Sequence, residues 1–477
     1  MTTETAGGPT GPAARPAPHR VVIVGGGVTG LVAARQILRD RPETTVTVLE
    51  ASERLGGQVL AIDVDGVAVD VGAEAIHLGA PAAADLARAL GLDATVIAAR
   101  RGQSVLLTRR GLRPLPAGVG PTGPTRVGPV LRSGILSWHA IVRAGLEPLT
   151  RRRQAADVAV GDFVQGRFGR EVTDTFVDPL LGNLHSGDIH RLSLQATAKQ
   201  LVPVAESGTS LLLRALRKPT PPPRRPDEPA PLPMFASWPG GLGALVDALA
   251  SSLEGHATVR TAVRVEAIGR TGDTWRVDTG EGPVEADAVV VAVGPRPAAV
   301  LLGPHSPATA RALEAVDTAS VATVVLAYER EAAEQNPVLR DTNGLLLNSS
   351  QSGVLKAMTN MSRKWPLGHP SWHIVRVSVG RAGSRVAVDL SDAQMIAAAS
   401  GELATLIGLN ATPVFATVVR WPDAMPQLTV GHPGRMAAAR AELAGIPGLH
   451  LAGSAADGLG LTSTIASGVQ VARTLVG

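Results

Sequence analysis

Residues 20–50 read RVVIVGGGVTGLVAARQILRDRPETTVTVLE, and the order of patterns in this stretch decides the fold. Arg20–Val24 is a short β-branched run without polar alternation, as expected of a strand covered on both faces of a parallel sheet. Gly25-Gly26-Gly27-Val28-Thr29-Gly30 follows as a GxGxxG turn, and LVAARQILRD then places its apolar residues at helical spacing. Gly25 permits the tight turn, Gly27 lets backbone approach a pyrophosphate, and Gly30 lets the helix lie close to the strand. The anion would meet the helix N-terminus, where unpaired N–H groups and the dipole favour negative charge. A second strand, Thr45–Leu49, ends at Glu50, a carboxylate placed to accept from an adenosine ribose 2′-OH and to repel a 2′-phosphate. Glycine loops arise by chance in a chain with 53 glycines. Here strand, glycine turn, helix, second strand and terminal Glu come in order, which predicts a dinucleotide site.

Working outward, Glu50 is followed by Ala51-Ser52-Glu53-Arg54-Leu55-Gly56-Gly57-Gln58. This resembles the E-A-x-x-R-x-G-G segment of FAD enzymes of the amine oxidase superfamily, in which the second glycine pair runs beside the phosphate and ribityl chain. Arg54 is then available for a charge-assisted contact to phosphate. At the far end, Leu449–Ala452 reads as a short strand and Gly453–Leu461 as a flexible turn. Thr464–Leu475 is apolar at helical spacing. That helix N-terminus would stabilise negative charge on a reduced flavin ring. The superfamily ends in such a unit, so the resemblance implies one FAD domain built from both ends of the chain.

Several internal segments resemble the protoporphyrinogen/coproporphyrinogen oxidase family in particular. Val69–Ala75 (VDVGAEA) is similar to its D-L-G-x-E segment, and Leu112–Gly118 (LRPLPAG) to its short hairpin. Asp178–Leu194 (DPLLGNLHSGDIHRLSL) is similar to its P-L-x-x-G-x-x-x-G-D segment. Arg420–His432 (RWPDAMPQLTVGH) and Ala452–Gly468 complete the set. The resemblance covers most of residues 20–477. It implies FAD, held non-covalently, at Gly25, Gly26, Gly27, Gly30, Glu50, Ala51, Arg54, Gly56, Gly57, Gln58, Gly72, Ala73, Glu74 and Ala75. Later contacts would be Val263, Trp421, Gly453, Ser454, Leu459, Gly460 and Leu461. The implied reaction removes hydrides from a reduced tetrapyrrole, coproporphyrinogen III or protoporphyrinogen IX, onto FAD in heme biosynthesis, with O2 reoxidising the flavin to H2O2. No acid–base residue is carried over, so the catalytic residues stay unassigned.

Four positions depart from the family in segments expected to face substrate. Ala456 stands where an aromatic residue is frequent, Asn183 where Gly is usual, and His185 where Tyr or Phe is usual. Ser104 lies near the position of a propionate-binding Arg in plant and animal members. A carboxylated guest needs cationic partners, and Arg100, Arg101 and Arg113 are the nearby candidates. A paralogous FAD-dependent amine oxidase or desaturase, acting on another amine or reduced ring, therefore stays open. So does a nucleotide-binding protein without redox chemistry, built on a related fold.

Composition sets the outer bounds. The 477-residue chain is 45% apolar with a formal charge of +4, long enough for several domains. It has no cysteine, which excludes disulfides, thiolate metal sites and flavin tethering through a cysteine. His185 and His190 lack partners at metal spacing, and no metal site is expected. Aromatic content of 3% leaves little material for base stacking, so no nucleic-acid partner is expected. The expected fold is α/β: a Rossmann-type FAD-binding domain with a mixed-sheet substrate domain and a helical insert. The FAD domain is expected at 19–101, 234–296 and 427–477, the helical domain at 102–205 and the substrate domain at 297–426. Residues 1–18 read as a disordered tail and 206–233 as a proline-rich linker. Val130–Ile141 and Gly161–Phe176 read as helices. Without an apolar run of ~18–20 residues or a signal-like start, a cytoplasmic protein is expected. Arg151-Arg152-Arg153 beside Leu136 and Trp138 offers a peripheral membrane contact. The number of subunits cannot be read from the sequence.

Overall fold

Four consecutive aliphatic residues of Arg20–Val24 are buried, and a strand with no solvent face needs a neighbour on each edge and a layer on each side. The computed structural model describes residues 18–150, 152–154, 156–216, 232–351, 353–366 and 368–476, and it supplies both. The strand pairs in parallel with Thr45–Leu49 on one edge and with Ala288–Val291 on the other. Ala257–Arg260 and Leu449–Leu451 extend these to a five-stranded parallel sheet. Alternation sorts the side chains. Val21 and Ile23 join the core formed with helices Val28–Asp40 and Leu461–Val476, whereas Val22 and Val24 join the core of Trp275, Leu301 and Leu302.

The first and last helices pack directly on one another at Gly468, while Gly30 lets the first helix close on its own glycine turn. A Cβ on Gly30 would fall 1.9 Å from the Gly25 carbonyl oxygen, and one on Gly468 would fall 2.6 Å from that of Thr29. Thr29 Oγ1 also donates to the Thr464 carbonyl at 3.3 Å.

A second, seven-stranded sheet stands beside the first. Its order is Phe415–Pro426, Thr318–Glu329, Trp372–Val379, Leu355–Asn360, Thr342–Leu346, Gln103–Thr108, Gly111–Pro114. It is antiparallel except where Thr342–Leu346 runs parallel to Gln103–Thr108, so the sheet is mixed, as expected. One face, with Val324, Leu326, Val375 and Val377, packs against Met395, Ala399 and Leu403 of helix Asp392–Ile407. These helix residues recur every four positions, the spacing of a buried stripe. The other face carries Thr323, Arg376 and Ser378.

The segment read as mostly helical is helical only beyond its beginning. Gln103–Thr108 and Gly111–Pro114 are strands of the mixed sheet. Val105 serves one core and Leu106 another, which erases the polar alternation that marks a half-exposed strand. Val130–Ile141 is not one helix: Val127–Arg132 and Trp138–Gly145 are separated at Gly134, whose φ is +65°. Val160–Phe168 ends at Gly169 and is followed, after Arg170–Val172, by a ten-residue π-helix, Thr173–Gly182. Within the expected linker, Leu211–Leu216 is helical. Residues 1–17 and 217–231, most of the expected tail and proline-rich stretch, lie outside the described residues. Among those described, no helix is long and apolar enough to cross a membrane.

The glycine at the helix crossing gives a direct test. Gly468→Ala should lower stability by about 1–3 kcal/mol through overpacking, measured as a lower denaturant midpoint at unchanged slope. Gly434→Ala is the control. Gly434 lies in helix His432–Ala444 with nothing within 4 Å of the added carbon, and should gain up to about 1 kcal/mol from helix propensity.

Candidate active site

The glycine turn is assembled by the ends of two parallel strands. Gly25, at φ +112°, donates its N–H to the Leu49 carbonyl at 2.8 Å. Gly26 donates to Glu50 Oε2 at 2.7 Å. Glu50 Oε1 also accepts from the Ser52 N–H and hydroxyl, so this carboxylate ties the turn to the second strand. The first intrahelical bond runs from Leu31 N–H to the Gly27 carbonyl, which leaves the preceding amides as open donors at the helix mouth.

The second glycine pair faces the first. Gly56 bridges to Gly27 and donates to the Gly26 carbonyl at 2.9 Å. Both Gly56 and Gly57 adopt positive φ, +95° and +58°. Arg54 shapes this turn, because its guanidinium donates to the carbonyls of Leu55, Gly57 and Val59 and lies 5.7 Å over the Trp421 ring. Three backbone carbonyls of this loop thus accept from the two terminal nitrogens of Arg54. A dinucleotide fits this cradle: Gly27 has φ −70°, and a Cβ there would meet nothing nearer than Gly57 Cα at 4.0 Å. The protein leaves open the space that the pyrophosphate needs.

Beyond the cradle lies a cavity of about 660 Å³. Gln58, Gly72–Ala75, Trp421 and Leu459–Leu461 line it together, so sequence-distant motifs do converge there. The 70–75 segment is clamped from several sides. Trp421 Nε1 and Thr323 Oγ1 both donate to the Val71 carbonyl, and Arg376 donates to those of Asp70 and Gly72. A Cβ on Gly72 would fall 1.9 Å from the Gln58 carbonyl oxygen, so only glycine admits this close approach. Glu74 is ionised. Burial pushes its carboxyl up, but the Lys364 ammonium at 2.5 Å and the Arg376 guanidinium at 3.6 Å outweigh that and hold it down to about 2. Trp365 Nε1 and Thr359 Oγ1 also donate to it. Glu74 is thus a pin between the glycine-rich half and the mixed sheet.

At the other end of the chain, Gly453 N–H donates to Ser467 Oγ, which donates to Asp457. Asp457 also pairs with Arg440. Gly458 and Gly460 follow at φ +113° and +94°, and helix Leu461–Val476 begins against the cavity. Its N-terminal dipole favours negative charge there.

The helical region contributes Asn183, His185 and Ser186 to the wall, delivered by the π-helix that ends at Gly182; helices of this kind cluster at functional sites. Asn183 Nδ2 donates to the carbonyls of Pro179, Leu347 and Lys356, which leaves its Oδ1 buried without a partner. His185 Nδ1 is likewise unpartnered. Burial lowers this imidazole to about 4, so it is neutral near pH 7.

Other sequence-derived candidates fall elsewhere. Val263 N–H donates to the Glu50 carbonyl, beside the exposed Ala51, and neither lines the cavity. Gly453 and Ser454 do not line it either. Ala456 does not face substrate, because the one-turn helix Ser454–Asp457 turns it into the core with Val22 and Leu449. Ser104 does not line the cavity either. It shares a sheet face with Leu106, but its strand lies beyond Thr342–Leu346, whereas the lining reaches only to Leu355–Asn360. Arg100, Arg101 and Arg113 are exposed and also off the wall. The cavity's cations are instead Lys356, Lys364 and Arg376, with exposed Lys199 at the rim. Arg376 and Ser378 were not among the candidates, although alternation in Trp372–Val379 (WHIVRVSV) is a signal that places them on one face. Nothing local marked Lys356.

The flavin containing amine oxidoreductase family model matches residues 28–476. The coproporphyrinogen III oxidase of Propionibacterium freudenreichii is 33% identical, over 97% of this chain and 92% of its own length. That of Bacillus subtilis is 29% identical, over 94% and 96%. A crystal structure from Exiguobacterium sp. 255-15, provisionally named a protoporphyrinogen oxidase, superposes with a TM-score of 0.84 at 29% identity, covering 96% of this chain and 98% of that one.

Because a methyl group at Gly27 meets open space within the protein, Gly27→Ala separates folding from ligand binding. The variant should unfold at the same denaturant midpoint as the wild type when both are stripped of flavin. It should also be isolated without the visible absorbance of bound flavin and fail to regain it on adding FAD.

Proposed function

The chain belongs to the flavin-containing amine oxidoreductase family and is an FAD-dependent oxidoreductase, and we propose that its substrate is a porphyrinogen, oxidised to the porphyrin in heme biosynthesis. The observation that carries this reading is the near-full-length relationship to proteins named coproporphyrinogen III oxidase. The cavity supports it, since its wall combines cations suited to carboxylate side chains with neutral polar groups suited to a ring N–H.

Bound FAD supplies the hydride acceptor. The residues that would hold it are those of the two glycine turns, the clamped 70–75 segment, Trp421 and the start of helix Leu461–Val476. Their shared task is positioning: they fix one wall of the cavity so that a ring carbon lodged inside is held against it. Neutral His185 and the unpartnered Asn183 oxygen present acceptor capacity without adding charge. The amides at the Leu461 helix start favour electron density arriving at that wall. Three successive two-electron oxidations convert porphyrinogen to porphyrin, and O2 as the terminal acceptor balances them with three H2O2.

Purified protein should consume O2 and generate porphyrin fluorescence with coproporphyrinogen III, protoporphyrinogen IX or both, releasing H2O2 in proportion. Bound flavin with no fluorescence from either porphyrinogen would retire the substrate and leave the amine oxidase or desaturase reading.

We further propose that the helical region rests on an anionic lipid surface. Trp138, Val142, Leu146 and Leu149 are 66%, 54%, 45% and 81% exposed. They recur at helical spacing along Trp138–Gly145, the linking residue Leu146 and Glu147–Thr150, near the exposed Arg152 and Arg153. Leu136, read as part of this surface, is buried instead at 6%, and Arg151 lies outside the described residues. In co-sedimentation, the protein should bind vesicles containing anionic lipid and be released by salt. Trp138→Ser with Leu149→Ser should reduce the bound fraction several-fold while turnover of dissolved substrate is unchanged.

A further inference from the structure

Lys356 is an unusual residue for its place. It lies on Leu355–Asn360, is 7% exposed, and lines the cavity. A β-bulge between Leu355 and Ala357, opposite Ser378 and Val379, breaks the alternation so that adjacent Lys356 and Ala357 both reach the wall. Bulges of this kind re-aim side chains beside active sites. The ammonium donates to Ser186 Oγ at 2.5 Å, and among the described residues no carboxylate forms an ion pair with it. The charges that face it are Arg376, from the neighbouring strand Trp372–Val379, and Arg381, from the turn that follows. Both repel it. The acidic groups nearby are engaged elsewhere: Glu74 with Lys364 and Arg376, and Asp178, which accepts from the Ser349 N–H and lies toward Arg381.

Burying an ammonium without a counter-ion is costly, and burial together with the two guanidiniums pulls Lys356 down to about 7. The surroundings carry further signs of a binding site. Ser186 sits at φ +49°, a left-handed conformation that a non-glycine residue keeps only when its surroundings hold it there. Ala382 N–H does so by donating to the Ser186 carbonyl. Next to it, His185 is 6% exposed with Nδ1 unpartnered. A cation and an unsatisfied buried ring nitrogen thus converge at one end of the cavity.

We infer that Lys356, oriented by Ser186, is the counter-ion for a carboxylate of the substrate and so fixes which way the substrate enters the cavity. This rests on the porphyrinogen reading, since that class of molecule carries propionate side chains. The assignment replaces the exposed arginines near Ser104 as the source of carboxylate recognition.

The test compares binding of coproporphyrin III with that of its tetramethyl ester to the holoenzyme, by quenching of porphyrin fluorescence. The wild type should prefer the free acid by about ten- to a hundredfold, the range of a charge-assisted hydrogen bond. Lys356→Met should lose that preference while keeping its ester affinity and flavin content. It should unfold no earlier than the wild type, because an unpaired buried charge has been replaced by an apolar group. Lys356→Arg should restore part of the preference. A Lys356→Met enzyme that still prefers the free acid would overturn the assignment. If that variant retains the preference and the wild type makes porphyrin, the assignment alone fails. If the wild type binds neither porphyrin and oxidises neither porphyrinogen, the functional reading fails with it.

Discussion

The contact between the first and last helices governs the molecule. Helix Val28–Asp40 carries the amides that open toward a pyrophosphate, and helix Leu461–Val476 begins at the cavity. The two are locked together where Gly468 meets the Thr29 carbonyl. Every other part of the site is measured from that crossing. The parallel sheet places the glycine turn at the ends of its strands, where ligands of such sheets bind. The 70–75 segment is then pinned to the mixed sheet through Arg376, Thr323, Trp421 and Glu74. Two sheets thus share one clamped segment, the kind of support that holding a reacting group in place needs.

The mixed sheet divides its labour by face. Val324, Leu326, Val375 and Val377 are committed to the core under helix Asp392–Ile407. Thr323, Arg376 and Ser378 are turned toward the cavity. Of the polar residues on this second face, Thr323 and Arg376 are engaged with the 70–75 segment, donating to its carbonyls. Such a sheet can change its guest by substitution on one face while the other preserves the fold.

What the sequence disclosed follows from how local each signal is. The strand Arg20–Val24, the turn at Gly25–Gly30 and the strand ending at Glu50 are contiguous, and each glycine there answers a backbone requirement visible in neighbouring residues. The Gly56–Gly57 pair, the Val69–Ala75 segment and Trp421 were legible through family resemblance; the structure sets the glycine pair against the first glycine turn and brings Val71–Ala75 and Trp421 to one cavity. Misreadings arose where position depends on distant pairing. Ala456 is close in sequence to a lining segment and Ser104 lies on a strand of the sheet that lines the cavity, but the turn of a short helix carries the first away and strand order the second. Lys356 reaches the wall through a bulge set by its register with Trp372–Val379, which no nearby residue announces. The strands at 103–114 read as helix-like because two cores consume their alternation.

The arrangement of the nucleotide cradle has a bearing on biogenesis. Thr29 and its partner Thr464 are 435 residues apart, so a nascent chain that already displays the glycine turn still lacks the wall opposite. The prosthetic group has no finished berth until the ribosome has passed Leu461–Val476. A chain truncated before Leu461–Val476 would therefore lack the wall that completes the site. Colour in a preparation of this protein thus reports that the two extremities have found each other.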